Sequence, residues 1–234
     1  MTRILTSGAA QMGIEITRDD ADKFLRYMSA LKDWNTRINL TAITNDEEII
    51  TKHFLDSLTI APLITPSAKI IDVGSGAGFP GIPLAIIRPD LEMLLLDSLN
   101  KRINFLNHII SELSLTNIRT AHARAEDASH APAHREAYDY AIARAMAPMV
   151  ALAEYCLPYV AVGGSFIAMK GTKCEEELAC AIGFIEELGG ELNAIHQAQI
   201  PHTDITHKLA VFKKIKPTPK KYPRRAKQIG KPTS

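Results

Sequence analysis

Residues Lys69 to Gly81 read K-I-I-D-V-G-S-G-A-G-F-P-G, a short apolar run with an acid near its end and then four glycines within eight residues. A buried strand that opens into a glycine-rich turn and a helix lets backbone N–H groups approach a ligand where any Cβ would collide. The segment therefore predicts a nucleotide or cofactor cradle. Its spacing can be read in two registers. Gly76, Gly78 and Gly81 fit the dinucleotide pattern G-x-G-x-x-G, but that match begins two residues after the run Ile70 to Val73 ends. From Gly74 the pattern is acid-x-G-x-G-x-G and starts directly at the strand end.

The second register resembles the first motif of class I S-adenosylmethionine methyltransferases. On that reading Asp72 supplies an acceptor and a negative charge near a cationic sulfonium, and Gly74, Gly76 and Gly78 let the amino-acid part of the cofactor lie on the backbone. A second apolar run, Leu91 to Leu96, ends in Asp97, nineteen residues after Gly78. An acid at the tip of a second strand accepts hydrogen bonds from ribose hydroxyls in dinucleotide and S-adenosylmethionine sites alike. Asp97 thus supports a cofactor without choosing between the two, and it also suits an N-cap for the helix that starts near Ser98.

The chain has 234 residues, 46% of them hydrophobic, enough for one sizeable core with a small appendage. No apolar run reaches the roughly 18 residues that span a bilayer, and no basic segment followed by an apolar stretch opens the chain, so a cytoplasmic protein is expected. Cys156, Cys174 and Cys180 have no CxxC spacing, and the eight histidines form no ligand pattern with them. They read as buried thiols, without a metal. Helical spacing of Phe24, Leu25, Met28, Leu31 and Trp34, capped near Asp19 or Asp20, and a second helix after Asn45 make residues 1–66 a helical N-terminal region. Strands then alternate with helices over 67–216, which predicts an α/β fold with a doubly wound, mostly parallel sheet closed by an antiparallel pair near 192–199 and 207–215.

Residues 217–234 form a basic tail. Lys213 to Ser234 carries nine basic residues and no acid, so a net charge of +1 conceals a body near −8 and a tail of +9. Such a tail reads as a phosphate-binding arm, or as a segment that folds onto its own acidic body. Pro217, Pro219 and Pro223 predict a stiff arm leaving the last strand.

At this point the chain resembles the RsmG family, also called glucose-inhibited division protein B, along almost its whole length. The resemblance rests on Trp34-Asn35, Asn39-Leu40-Thr41, His53-Phe54-Leu55-Asp56-Ser57-Leu58, the block Asp72 to Leu84, Asp97-Ser98, Lys101-Arg102 and Phe105-Leu106. It continues through Ala125-Glu126, Arg144-Ala145, Lys170-Gly171 and Lys221-Tyr222-Pro223-Arg224. It implies an enzyme of the class I methyltransferase fold that methylates N7 of guanine 527 in the 530 loop of 16S rRNA with S-adenosylmethionine as donor. The family's cofactor contacts would fall on Gly74, Phe79, Ala125, Glu126 and Arg144. After Arg225, the run Ala226 to Pro232 departs from the glycine-and-proline pattern usual in the family.

The residues are consistent with that chemistry. Enzymes that methylate exocyclic amines often carry an N/D-P-P-Y/F run after the fourth strand, where this chain has Ile142 to Pro148, I-A-R-A-M-A-P. Pyrimidine carbon-5 methylation needs a thiolate in a Pro-Cys step, whereas Cys156 precedes Leu157-Pro158. Guanine N7 already exposes a lone pair, so attack on the sulfonium methyl needs no base. Arg144 is expected to contact the cofactor or the guanine O6/N7 edge, or else to pair with Glu126 or Asp127. Lys101, Arg102, Lys220, Lys221, Arg224 and Arg225 are the expected RNA contacts, and 16S rRNA or the small ribosomal subunit the expected partner of a monomer. His53, Asp56 and Ser57 read as structural hydrogen-bonding groups. An NAD-dependent oxidoreductase using the register from Gly76, and a non-enzymatic ribosome- or RNA-binding module using the tail, are the alternatives.

Overall fold

The computed structural model describes residues 1–144 and 147–230. Helix α1 (Thr2–Gln11) precedes α2 (Arg18–Ile38), which opens on a capping box: Thr17 Oγ1 accepts the Asp20 N–H while the Asp20 carboxylate accepts the Thr17 N–H. The cap is thus Thr17, and the expected Asp20 acts from the third helical position. Asn39, at φ 49°, ends α2 in the left-handed region. Asn45 Oδ1 caps α3 (Asp46–Ile49), which continues through a π-helical turn (Ile50–Leu55) into α4 (Asp56–Leu58). The π turn carries His53, and Asp56 follows it directly.

The rest alternates as the hydrophobic runs require. It comprises β1 (Lys69–Val73), α5 (Gly81–Ile87), β2 (Glu92–Asp97), α6 (Asn100–Glu112), β3 (Ile118–His122), α7 (Ala125–Ala128), β4 (Tyr138–Arg144), α8 (Met149–Cys156), β5 (Val160–Lys170), α9 (Cys174–Glu187), β6 (Gly190–Gln199) and β7 (Thr206–Lys214). The sheet order is β3-β2-β1-β4-β5-β7-β6; the first five strands are parallel and β7 is antiparallel to both neighbours. Strand order reverses between β1 and β4, which opens a crevice at the carboxyl ends of the strands.

Alternation along β1 divides the core. Ile70 faces the N-terminal helices, in a cluster that includes Tyr27, Phe54, Phe79 and Phe105. Ile71 faces α8 and α9, among Leu152, Phe166, Ile185 and Tyr222. Tyr222 belongs to the tail, so the stiff outgoing arm is corrected: the segment after β7 turns back and packs. Lys214 Nζ donates to the Leu157 carbonyl at 2.7 Å and to Thr218 Oγ1 at 2.6 Å. Arg135 holds the carbonyls of Thr218, Pro219 and Tyr222. The physical reason is the acidic body, whose Glu136, Glu154 and Glu187 pair with Lys214, Arg224 and Lys221. Among the described residues no helix is long and apolar enough to cross a membrane.

Candidate active site

The turn after β1 is held from β2. Gly74 N–H and Ser75 N–H both reach the Leu96 carbonyl, at 2.8 and 3.1 Å, and Gly76 N–H donates to Asp97 Oδ2 at 2.9 Å. A Cβ on Gly76 would meet only the Gly74 carbonyl at 3.9 Å, so this φ +60° position stands in open space beside a cleft. Gly78 and Gly81 serve another purpose. A Cβ on Gly78 would lie 2.8 Å from the Tyr27 hydroxyl, and one on Gly81 would lie 2.8 Å from Asp72 Oδ2. Two of the three glycines in the dinucleotide register are therefore packing residues, while Gly74 and Gly76 face the space a ligand would fill.

Asp72 is fully buried and lines no cleft described below. Its Oδ2 accepts the Gly81 N–H at 3.0 Å, and among the described residues Oδ1 has no partner. Burial pushes this carboxyl up to about 7, against the opposing Gly81 hydrogen bond. Asp97, 3% exposed, accepts from Gly76 and Leu99 N–H and pairs with Arg102 at 3.3 Å.

Two clefts meet over the glycine turn. One, of about 290 Å3, is lined by Gly74, Asp97, Arg102, Ala125, Glu126, Tyr155 and Ala226. The other, of about 310 Å3, is lined by Gly74, Gly76, His53, Phe79, Arg102 and Arg144. They share Gly74 and Arg102. The fold thus gathers Gly74, Phe79, Ala125, Glu126 and Arg144 at the ends of three strands, β1, β3 and β4, with α7 presenting Ala125 and Glu126 and the Tyr159 hydroxyl donating to the Ala125 carbonyl at 2.7 Å.

A third cleft of about 610 Å3 adjoins the second at Arg144 and is lined by Lys52, His53, Asp56, Lys170 and His207. Arg144 Nη1 pairs with Asp56 Oδ2 at 2.8 Å, and its guanidinium lies over the Phe79 ring at 4.9 Å. The acid that pairs with Arg144 is therefore Asp56 of the N-terminal region, not Glu126 or Asp127. His207 Nδ1 meets the other Asp56 oxygen at 2.7 Å. His53 stacks on Phe79 with ring centres 4.5 Å apart. Its Nδ1 lies 3.2 Å from Arg144 Nη2, and a guanidinium can only donate. The His53 proton is therefore on Nε2, which donates to Thr41 Oγ1 at 2.8 Å. Burial, then the Arg144 charge, lowers the His53 pKa to about 4. The Asp56 hydrogen bond raises that of His207.

Thr41, Lys170 and His207 were not picked out as site residues from sequence. Lys170 Nζ binds the Ala147 carbonyl at 3.0 Å and Glu177 at 2.7 Å, beside Arg144. His207 and Asp56 are 151 residues apart, and only the sheet order brings them together. Ala145 and Met146, within the run after the fourth strand, lie outside the described residues. Cys156 is fully buried with its thiol pKa pushed up by burial, which leaves it no thiolate character. Of the expected RNA contacts, Lys101, Lys220 and Arg225 are exposed and Arg102 edges the clefts. Lys221 pairs with Glu187 at 2.8 Å and Arg224 with Glu154 at 2.8 Å, so these two also tie the tail to the body.

The family model described as GidB, rRNA small subunit methyltransferase G, matches residues 20–206. The chain is 47% identical over 230 residues to the ribosomal RNA small subunit methyltransferase G of Clostridium perfringens strain 13, covering 97% of this chain and 96% of that one. It is 48% identical over 234 residues to the protein of the same name from Acetivibrio thermocellus, covering 100% and 95%. Among solved structures, M. jannaschii TYW2 in complex with AdoMet superposes with a TM-score of 0.53 at 15% identity, over 74% of this chain and 80% of that one. A SAM-dependent methyltransferase from Aquifex aeolicus gives 0.52 at 12% identity, over 71% and 93%. These likenesses fix the class I methyltransferase fold.

Proposed function

We propose that this chain, which belongs to the GidB family of rRNA small subunit methyltransferases G, transfers a methyl group from S-adenosylmethionine to N7 of a guanine in 16S rRNA, position 527 of the 530 loop by family resemblance. The observation that carries the reading is the pair of clefts that meet over Gly74, one ending at Asp97 and Glu126 and the other at Arg144. The residues suit the cofactor: Gly76 leaves open space where a side chain would stand, and Asp97 keeps an Oδ1 lone pair for a hydroxyl donor beside its bonds to Gly76, Leu99 and Arg102. Gly74, Gly76, Phe79, Asp97, Ala125, Glu126 and Arg144 would hold it. Asp72 and Gly78 would act from beneath, since neither lines a cleft. When bound, S-adenosylmethionine supplies an electrophilic methyl.

The chain's own part is positioning. Arg144 stands between the second and third clefts, fixed by Asp56, His53 and the Phe79 face. Its remaining N–H groups can donate to guanine O6. They must leave N7 unengaged, because that lone pair forms the new bond. His53, neutral and with both nitrogens occupied, is not a base, and N7 has no proton to give up. Holding donor and acceptor in near-attack geometry contributes up to about 7 to 11 kcal/mol. Exposed Lys101, Lys220 and Arg225 would meet RNA phosphates, and the enzyme would act in the cytoplasm as a monomer.

The dehydrogenase reading fails on Gly78, whose missing Cβ makes room for Tyr27 and Ile82 where that fingerprint needs room for a pyrophosphate, and on the family. The test is to map modified nucleotides in 16S rRNA from a strain lacking the gene, with and without complementation. Loss of one 7-methylguanosine, restored by the gene, is expected; an unchanged modification pattern overturns the proposal.

A further inference from the structure

We infer that the segment after β7 is a wall of the cofactor cleft, with Ala226 at its rim and the Arg224–Glu154 pair as the pin that fixes it there. The inference rests on reading the cleft over Gly74 and Asp97 as the cofactor site. Ala226 lines that cleft together with Asp97, Glu126 and Tyr155. Two residues earlier, the Arg224 N–H and Nε donate to Glu154 Oε1 at 2.7 and 3.0 Å, and Nη2 donates to Oε2 at 2.8 Å. Glu154 is fully buried, and its neighbour on α8, Tyr155, is itself a wall of the same cleft. One helix therefore sets both the pin and the facing wall.

The path into and out of Ala226 is fixed as well. Upstream, His130 Nε2 lies 3.1 Å from the Pro223 carbonyl, and Arg135 holds the Tyr222 carbonyl at 3.0 Å. Downstream, Gln228 N–H closes a turn on the Arg225 carbonyl at 2.8 Å, and a Cβ on Gly230 would touch the Ala151 Cβ at 3.5 Å. A wall already pinned in place needs little ordering when a ligand arrives, so its contacts count nearly in full toward affinity. A methyl side chain at 226 leaves the cleft open, whereas a large ring there would occupy it.

The test is calorimetry with S-adenosylhomocysteine on three proteins: the full chain, a chain ending at Arg225, which keeps the Arg224–Glu154 pin and the upstream bonds of Tyr222 and Pro223, and Ala226→Trp. The truncation and Ala226→Trp should each weaken binding about tenfold, with unchanged far-ultraviolet dichroism. On the full chain, saturating S-adenosylhomocysteine should slow tryptic cleavage after Arg225 and Lys227. Equal affinities in all three proteins, or cleavage that the ligand does not slow, overturn the inference while leaving the cofactor site intact. If the full chain binds no S-adenosylhomocysteine, the cofactor reading itself falls, and the wall with it.

Discussion

Asp97 closes β2, caps the turn to α6 through Leu99 N–H and holds the glycine turn through Gly76 N–H. Asp97→Ala should cost about 1.5 to 3 kcal/mol of S-adenosylhomocysteine binding, roughly 10- to 150-fold by calorimetry, and should also lower stability because two N–H groups lose their acceptor. An unchanged affinity in a folded variant would remove Asp97 from the site. Asp72 has a different signature. Its folded pKa of about 7 lies above the unfolded value of 3.8, so the fold holds a proton that the unfolded chain releases. Its contribution to stability is therefore present at low pH and lost as pH rises from about 4 to 7. Asp72→Asn should remove that slope, at most about 1.4 kcal/mol per pH unit; denaturant titrations of both proteins at pH 4.5 and 7 decide it, and parallel curves contradict it. His53 has the opposite sign. Its folded pKa of about 4 lies below the free value of 6.5, so it stays neutral in the fold down to about pH 5, and its burial costs stability only as pH falls from about 6.5 towards 4. Asp97 and Gly74 were legible in sequence because strand, acid and glycine lie within one local pattern. His207 was not, because its partner is set by tertiary geometry alone.

The element with the least sequence signal is the π turn Ile50–Leu55, which reads as ordinary helix in the pattern of Ile49, Ile50, Phe54 and Leu55. Its extra residue per turn aims His53 and Asp56 at Arg144, and such turns recur at functional sites. Helix α1 was also unread, and α7, one turn long, is too short for periodicity to reveal. The tail misled for an electrostatic reason: its charge asymmetry was plain, but which acids it meets depends on the fold. Arg224→Ala leaves the fully buried Glu154 carboxylate without its main partner and should destabilise the protein by about 3 to 5 kcal/mol in denaturant unfolding. Adding Glu154→Gln should recover part of that loss. A single variant as stable as the parent would mean that the tail is not held by this pair.

For the molecule as a whole, the alternation of strands and helices made the doubly wound sheet readable, and the antiparallel closing pair was anticipated close to its observed limits. The facing of the two cores was not, since it follows from register rather than composition. The charge distribution also changes once the chain is folded. Of the nine basic residues after Phe212, Lys214, Lys221 and Arg224 are in salt bridges, and Lys231 lies outside the described residues. Lys213, Lys216, Lys220, Arg225 and Lys227 form no salt bridge among the described residues and remain for phosphates. On single-stranded RNA these five contribute at most about −3.5 to the log-log salt slope. Replacing all five by alanine should flatten the slope by up to this amount in filter-binding titrations; an unchanged slope would mean that these residues meet no phosphate.

Transfer from labelled S-adenosylmethionine to unmodified 16S rRNA, under single-turnover conditions and followed by nucleoside analysis, bears on everything above. The label should appear as 7-methylguanosine, with a rate that changes far less than tenfold per unit between about pH 6.5 and 9 and that His53→Gln largely retains. Label in any other nucleoside, or a steep pH profile that His53→Gln abolishes, would contradict base-free methylation at guanine N7.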